Sequence, residues 1–176
     1  YNELKIIIEN KKLPSTVGDE GGFAISSINN SDPLDLLIEA TLNTKWIPGK
    51  DVKFALDIAA SEFFDKEKNI YELKSEKLKL NSEELVTIYE SLISKYPIYS
   101  IEDGLSEDDW DGWKKMTSKI GTDIQLIGDD LFVTQKEYLD KGIKENSANS
   151  ILIKLNQVGT VTETIETIIM AQKNNF

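Results

Sequence analysis

The stretch Ile-Gln-Leu-Ile-Gly-Asp-Asp, residues 124–130, decides the fold class because a buried-strand pattern ends in two adjacent carboxylates. An apolar run of strand-forming residues ordinarily stops at a turn that contains Gly, Pro or Asn. A single Asp after such a run is often only a helix cap or a solvated loop residue. The pair Asp129 and Asp130 therefore raises the question of whether a carboxylate at this point takes part in chemistry.

Four other strand-like runs carry charge at the same end. They are 52–57 with Asp57, 98–103 with Glu102 and Asp103, 15–20 with Asp19 and Glu20, and 150–155 with Lys154. Chance is a poor explanation for five strand ends that share this feature. Strands that alternate with helices are typical of parallel βαβ units, whose C-terminal strand ends lie on one side of the sheet.

Helical patterns occupy the stretches between these runs. The apolar residues of 82–96 recur at the spacing of one helix face, after an N-cap pattern formed by Asn81 and Glu84. Similar start signals occur at Thr134 with Glu137, at Thr160 with Glu163 and, more weakly, at Ser106 with Asp109. Further helices are predicted at 3–11 and 33–45, and an excursion or short hairpin at 62–80.

The repeated order of strand and helix predicts an α/β fold that is part of a TIM-like (β/α)₈ barrel. An open doubly wound sheet usually has a phosphate-binding glycine loop after its first strand, but the glycine-rich stretch 18–22 carries two acids. In a barrel the loops after the strands form the active face. Five parallel units cannot close such a barrel, so we expect the 176-residue chain to be a segment of a longer protein.

The composition restricts the available chemistry to carboxylates and lysines. The chain has no histidine and no cysteine, and all 20 of its basic residues are lysines. Zinc sites and mechanisms that need a catalytic histidine are therefore disfavoured. The formal charge of −11 argues against nucleic-acid binding. The lack of cysteine favours the cytoplasm, and no apolar run reaches the roughly 18 residues of a membrane span.

Three carboxylates close consecutive strands: those of Asp57, Glu102 and Asp129. Packed together they would repel one another, and a divalent cation would remove that conflict. Oxygen ligands of this kind suit Mg²⁺, so the sequence predicts a magnesium site. The alternative is that each acid caps the next helix or pairs with a lysine.

Two further residues flank this predicted site. Lys154 lies on the next strand, where a nearby cation and partial burial would favour the neutral amine that a general base needs. The alternative is a lysine that extends from a strand end into solvent. Glu20 lies on the opposite flank, where neighbouring acids would raise its pKa and suit it to act as a general acid.

Five motifs carry a resemblance to a known family. They are Val-Gly-Asp-Glu-Gly-Gly-Phe-Ala (17–24), Ala-Leu-Asp-Ile-Ala-Ala-Ser-Glu-Phe-Phe (55–64), Tyr-Pro-Ile-Tyr-Ser-Ile-Glu-Asp-Gly-Leu (96–105), Gly-Asp-Asp-Leu-Phe-Val-Thr (128–134) and Asn-Ser-Ile-Leu-Ile-Lys-Leu-Asn-Gln-Val-Gly (149–159). Together they are highly specific, and over essentially the whole chain the sequence resembles the enolase family of glycolytic phosphopyruvate hydratases, in particular its bacterial type.

The resemblance implies a role for each site residue. Asp57, Glu102 and Asp129 match the family's Mg²⁺ ligands, and Lys154 matches the base that removes the C2 proton of 2-phosphoglycerate. Glu20 matches the proton donor to the leaving hydroxide, and Glu102, Asp129 and Lys154 also contact the substrate in the family. Magnesium then stabilises the enediolate, and the products are phosphoenolpyruvate and water.

The resemblance also implies what lies outside the chain. Family members are more than twice as long, with an N-terminal α+β domain and later barrel units, and are homo-oligomers. We therefore expect the isolated segment to have little or no activity. Ile25 stands where the family usually has Pro, which affects the loop after Gly-Gly-Phe-Ala. The alternatives are another lyase of the superfamily, or a surface or secreted binding protein, because enolases also occur on cell surfaces.

Overall fold

The computed structural model describes residues 1–14, 16–26 and 29–176 and contains a four-stranded parallel sheet. In chain order the strands are β1 (Phe54–Asp57), β2 (Phe64–Asp65), β3 (Ile70–Leu73), β4 (Leu78–Leu80), β5 (Ile98–Glu102), β6 (Gln125–Gly128) and β7 (Ser150–Ile151). The helices are α1 (Asn2–Asn10), α2 (Asp32–Leu42), α3 (Ser82–Lys95), α4 (Trp110–Ile120), α5 (Lys136–Glu145), α6 (Leu155–Val158) and α7 (Val161–Lys173).

The parallel strands lie in the order β1-β5-β6-β7, and helices connect them along the chain. Helix α3 precedes β5, α4 precedes β6 and α5 precedes β7, and because the strands are parallel, every connection returns the chain to the same end of the sheet. This is the βα repeat of a partial barrel. Within the described ranges β1 and β7 each pair on one side only, so the sheet has two open edges.

The predicted strand at 15–20 is wrong where the structure describes it; Ser15 lies outside the described residues. Residues 16–24 form a turn in which Val17 and Phe23 make an isolated antiparallel bridge. The Gly18 N–H donates to the Gly22 carbonyl at 2.8 Å, and Gly21 has a φ of 83°, which favours glycine. The backbone groups of this turn thus bond to one another and not to a neighbouring strand of the sheet. The described residues therefore contain four parallel strands rather than the five predicted.

The excursion predicted at 62–80 is a small sheet rather than a single hairpin. A 3₁₀ helix at Ala60–Phe63 leads into β2, and the antiparallel strands lie in the order β2-β3-β4. Tyr71 of β3 is fully buried, and its ring packs against those of Phe63 and Phe64. Its hydroxyl donates to Asp109 at 2.8 Å, which ties the small sheet to the start of α4.

Two of the predicted helix starts are confirmed and two are wrong in detail. Asn81 and Glu84 form a complete capping box at α3, and Thr160 caps α7. At α4 the capping side chain is that of Asp109, three residues after the predicted Ser106. Thr134 does not cap α5, because its hydroxyl bonds to groups elsewhere in the chain.

Apolar side chains of the sheet, α3 and α4 form the main core. Its fully buried members include Ile101 of β5, Leu126 of β6, and Trp113 and Met116 of α4. A smaller cluster joins Ile7 of α1 to Leu36 and Ala40 of α2. Among the described residues, no helix has both the length and the apolar character needed to span a membrane.

Candidate active site

The three predicted carboxylates lie at or just after the C-terminal ends of neighbouring parallel strands, at one end of the sheet. Asp57 of β1 is the register partner of Glu102 of β5, and Glu102 is in turn the partner of Ile127 of β6. Asp129 follows Ile127 by two residues and therefore lies on the same face, since side chains alternate along an extended chain. The βα topology thus brings Asp57, Glu102 and Asp129 to one end of the sheet.

Within the part of the chain that the structure describes, Glu102, Asp103 and Asp129 form a group of closely spaced carboxylates. One carboxylate oxygen from each lies within 4.8 Å of the others, and Asp129 is only 5% exposed. Asp57 is more exposed and is outside this group. Asp57 is nevertheless the register partner of Glu102 on the adjacent strand, and burial and the charge of Asp129 raise its pKa.

Asp103 shapes the turn that presents Asp129. Its two carboxylate oxygens accept the backbone N–H groups of Asp129 at 3.0 Å and of Asp130 at 2.9 Å. Asp103 itself has a left-handed backbone with a φ of 42°, and its burial raises its pKa to about 6. The side chain of Asp130 is exposed, so the contribution of Asp130 to this turn is its backbone N–H.

Lys154 makes an ion pair with Asp129 across the strand ends. The residue follows β7, and its Nζ donates to Asp129 Oδ2. This hydrogen bond raises the pKa of the Lys154 ammonium, with further contributions from the charges of Glu102 and Asp130. A lowered pKa for Lys154 was expected from the sequence, because a bound cation was taken as the nearest charge. The raised pKa has the opposite direction, because the nearest charge is the Asp129 carboxylate.

Glu20 acts electrostatically on Asp57, at the end of β1. It belongs to the exposed turn at 16–24, and its charge is among those that raise the pKa of Asp57. Lys154 instead makes its hydrogen bond to Asp129, the residue directly after β6, while its charge also acts on Asp57. Their roles in catalysis stay a prediction.

Comparison with known proteins identifies the family. A model of the enolase C-terminal TIM barrel domain matches residues 1–176. The chain belongs to the enolase family. It is 50% identical over 176 residues to the enolase of Wolinella succinogenes, and the aligned region covers all of this chain and 42% of that protein. It is 53% identical over 172 residues to enolase 1 of Methanospirillum hungatei, and the aligned region covers 98% of this chain and 40% of that protein.

The donor set of this enolase-family site fits Mg²⁺. The carboxylates of Glu102 and Asp129 offer hard oxygen atoms at short mutual separation, and that of Asp57 adjoins them. Asp129 is buried with a cationic partner, Lys154, so its charge is already compensated in the protein alone. The Lys154 ammonium already lies beside Asp129, and a metal ion bound there would compete with Lys154 for the Asp129 carboxylate.

Three residues that contact Asp129 or its neighbours were not identified as site residues from the sequence. Asp103 was noted only as the end of a strand-like run, and Thr134 was interpreted as a helix cap. Gln157 lies inside a family motif but had no assigned role; its Nε2 donates to Asp129 Oδ1 at 2.9 Å. Spacing along the chain does not reveal these contacts, because each joins residues 23 to 28 positions apart.

Proposed function

We propose that this chain is the central segment of the barrel domain of an enolase, whose full-length form is called the parent below. The parent reversibly dehydrates 2-phospho-D-glycerate to phosphoenolpyruvate in glycolysis and is thus a hydro-lyase. One observation carries the proposal. In a chain of the enolase family, Lys154 contacts Asp129, which forms a carboxylate cluster with Glu102 and Asp103 at the C-terminal ends of the parallel strands.

Lys154 is the proposed general base. It must be neutral to take the C2 proton, whereas its hydrogen bond to Asp129 favours the ammonium form. A metal ion held by Asp129 would weaken that hydrogen bond and would lower the pKa of Lys154 towards the range of a useful base. Asp129 therefore links metal binding to the protonation state of Lys154.

Glu20 is the proposed general acid. Lys154 receives the C2 proton, and the electron pair of the C2–H bond then forms the C2=C3 double bond as the C3–O bond breaks. The departing hydroxide takes a proton from Glu20 and leaves as water. The exposed turn at 16–24 keeps Glu20 accessible to a substrate that approaches from the open side of the strand ends.

Asp57, Glu102 and Asp129 are the proposed Mg²⁺ ligands, and Glu102, Asp129 and Lys154 also contact the substrate. When bound, the metal supplies electrostatic stabilisation of the negative charge that develops on the substrate oxygens. The chain's own contribution is to hold these carboxylates at adjacent strand ends and to keep Lys154 within reach of Asp129.

The remaining parts of the proposal concern the whole protein. The chain spans about two fifths of the length of the two curated relatives. We propose that an N-terminal α+β domain and the last barrel units complete the site, and that the isolated segment has little or no activity. We further propose a homo-oligomeric, cytoplasmic parent; a cell-surface or secreted pool is a secondary hypothesis that fractionation of intact cells would test.

The test follows exchange of the C2 proton of 2-phosphoglycerate with solvent deuterium in the parent. Lys154→Ala should abolish exchange and turnover, because no base remains. Glu20→Gln should stop turnover but keep measurable exchange, because Glu20 acts after proton removal. Losses of about 10²–10⁴-fold are expected for groups of this kind.

The matched control is Lys136→Ala, which removes a lysine of α5 whose partner is Glu166 and should leave exchange unchanged. Normal exchange in Lys154→Ala, with none in Glu20→Gln, would mean that the two roles are reversed. A wild-type parent that neither exchanges nor dehydrates 2-phosphoglycerate would refute the proposed function itself.

A further inference from the structure

Thr134 is a fully buried threonine in a strained turn beside the candidate active site. Val133 and Thr134 have φ values of 42° and 55°. Left-handed backbone is rare for β-branched residues, and two in succession are held only where the surroundings determine the conformation. Backbone bonds close this turn on both sides, from Val133 N–H to the Asp129 carbonyl at 2.7 Å and from Gln135 N–H to the Phe132 carbonyl at 2.8 Å.

The strained turn directs the Thr134 hydroxyl towards the segment that carries Lys154. Thr134 Oγ1 accepts the backbone N–H of Lys154 at 2.8 Å. The hydroxyl has one proton to donate, and its closest acceptor is Gln157 Oε1 at 2.8 Å, whereas the Leu152 carbonyl lies at 3.3 Å. Thr134 therefore joins the backbone of Lys154 to the side chain of Gln157.

These contacts form a closed ring of hydrogen bonds that includes Asp129. Because Gln157 Oε1 accepts from Thr134, its amide group presents Nε2 to Asp129 Oδ1 at 2.9 Å. Lys154 Nζ contacts the other oxygen, Oδ2. The ring thus runs from the Lys154 backbone through Thr134, Gln157 and Asp129 and returns to the Lys154 side chain.

We propose that Thr134 and Gln157 are positioning residues that fix the orientation of the Asp129 carboxylate relative to the Lys154 backbone. The role of that carboxylate as a metal ligand rests on the proposed function. Gln157 is a neutral donor, so it restrains the rotation of Asp129 without neutralising its charge. When Lys154 leaves Asp129, the contact with Gln157 keeps the carboxylate in place. Partners of this kind typically contribute 10–100-fold to metal affinity.

The experiment measures Mg²⁺ affinity of the parent by calorimetric titration without substrate. Thr134→Val removes the hydroxyl but keeps the branched shape, and Gln157→Leu removes the amide at similar volume. Each should weaken Mg²⁺ binding by about 10–100-fold. Thr134→Ser retains a hydroxyl and should bind Mg²⁺ nearly as the wild type does. If Thr134→Val does not fold, Gln157→Leu decides the question, because Gln157 is only half-buried.

Thr117→Val is the matched control for a purely structural effect. The Thr117 hydroxyl is also buried, accepts the Ala148 N–H at 2.7 Å and donates to the Trp113 carbonyl at 2.9 Å, but it does not contact Asp129. Thr117→Val should lower thermal stability and leave Mg²⁺ affinity unchanged. Unaltered Mg²⁺ affinity in Gln157→Leu, or an equal loss of affinity in Thr117→Val, would overturn the proposal.

The outcomes separate this inference from the proposed function. If the wild-type parent does not dehydrate 2-phosphoglycerate but the variants weaken Mg²⁺ binding as expected, the proposed reaction is refuted and the positioning role is supported. If the parent is an active enolase and both variants bind Mg²⁺ normally, the positioning role is refuted and the reaction is retained.

Discussion

At the scale of single residues, Asp129 is held by three different groups. Its backbone N–H donates to Asp103, its Oδ1 accepts from Gln157 and its Oδ2 accepts from Lys154. A buried carboxylate is tolerated only when such partners replace its lost hydration. The same contacts that compensate the buried charge of Asp129 also orient its carboxylate for the proposed role as a metal ligand.

We expect Asp129→Ala in the parent to weaken Mg²⁺ binding severely while the fold survives. The Lys154 side chain is 44% exposed and can turn to solvent when its partner is removed. Titration with Mg²⁺ measures the loss of affinity, and circular dichroism checks the fold. A variant that is unfolded at room temperature would favour a purely structural role for Asp129.

The sequence predicted the strand-end carboxylates but not the direction of the Lys154 pKa. Asp57 and Glu102 could be placed together because parallel strands align their ends by topology alone. The state of Lys154 depends on which charge lies nearest, and that distance is a tertiary property. Thr134 was misassigned for a related reason, because its hydroxyl bonds to Lys154 rather than to the first turn of α5.

At the scale of elements, Asp109 connects three parts of the fold. It caps α4 through the Gly112 N–H and accepts from the hydroxyls of Tyr71 in β3 and Ser82 at the start of α3. Tyr71 in turn accepts the backbone N–H of Ser106 at 3.1 Å. The loop after β5, which begins beside Glu102, is therefore braced by the small antiparallel sheet.

We expect Tyr71→Phe to lower the free energy of unfolding of the parent by about 1–3 kcal/mol, because a buried N–H and a carboxylate each lose a partner. Denaturant unfolding measures the change. Tyr138→Phe is the control, since Tyr138 is 45% exposed and should behave like the wild type. Equal stability of the Tyr71 variant would mean that water replaces the lost hydroxyl.

We expect Thr160→Ala to cost about 0.5–2 kcal/mol of the parent's unfolding free energy through loss of the α7 cap. The Thr160 hydroxyl accepts the Glu163 N–H at 3.2 Å, whereas alanine offers no acceptor. Thr160→Ser keeps the acceptor and should retain most of the stability in the same denaturation experiment. A serine variant as unstable as the alanine variant would attribute the loss to packing instead.

The start of α7 was predictable from Thr160 and Glu163 because a capping interaction joins residues three positions apart. The antiparallel turn at 16–24 was not predicted, because its first residues were grouped with the strand-like runs that end in charge. Its glycines decided the outcome: Gly21 adopts a positive φ, and the Gly18–Gly22 backbone bond closes the chain on itself.

At the scale of the whole molecule, the described residues expose apolar surface as well as two open sheet edges. Val161, Ile165 and Ile169 recur every four residues on α7 and are 60%, 49% and 43% exposed. Unpaired strand edges and contiguous apolar surface both promote association. The barrel units proposed to follow this chain in the parent would cover such a helix face.

We therefore expect the isolated 176-residue segment to aggregate or to require the rest of the parent to remain folded. Light scattering during refolding measures this tendency. The double variant Ile165→Lys and Ile169→Lys should reduce aggregation, whereas Thr162→Lys, on an exposed polar position of the same helix, should have less effect. A monomer that melts sharply and cooperatively would contradict the expectation.

The open edges at β1 and β7 also suit this chain to reconstitution in trans. A split protein reassembles when each piece offers backbone groups that only the other piece can pair, and an unpaired parallel edge is such an interface. The proposed ligands Asp57, Glu102 and Asp129 and the proposed base Lys154 all lie on this one piece. The second polypeptide would therefore have to supply only the strands and the domain that are proposed to complete the site. Under the proposed function, the segment would then be one partner of a two-component reporter whose signal is the dehydration of 2-phosphoglycerate.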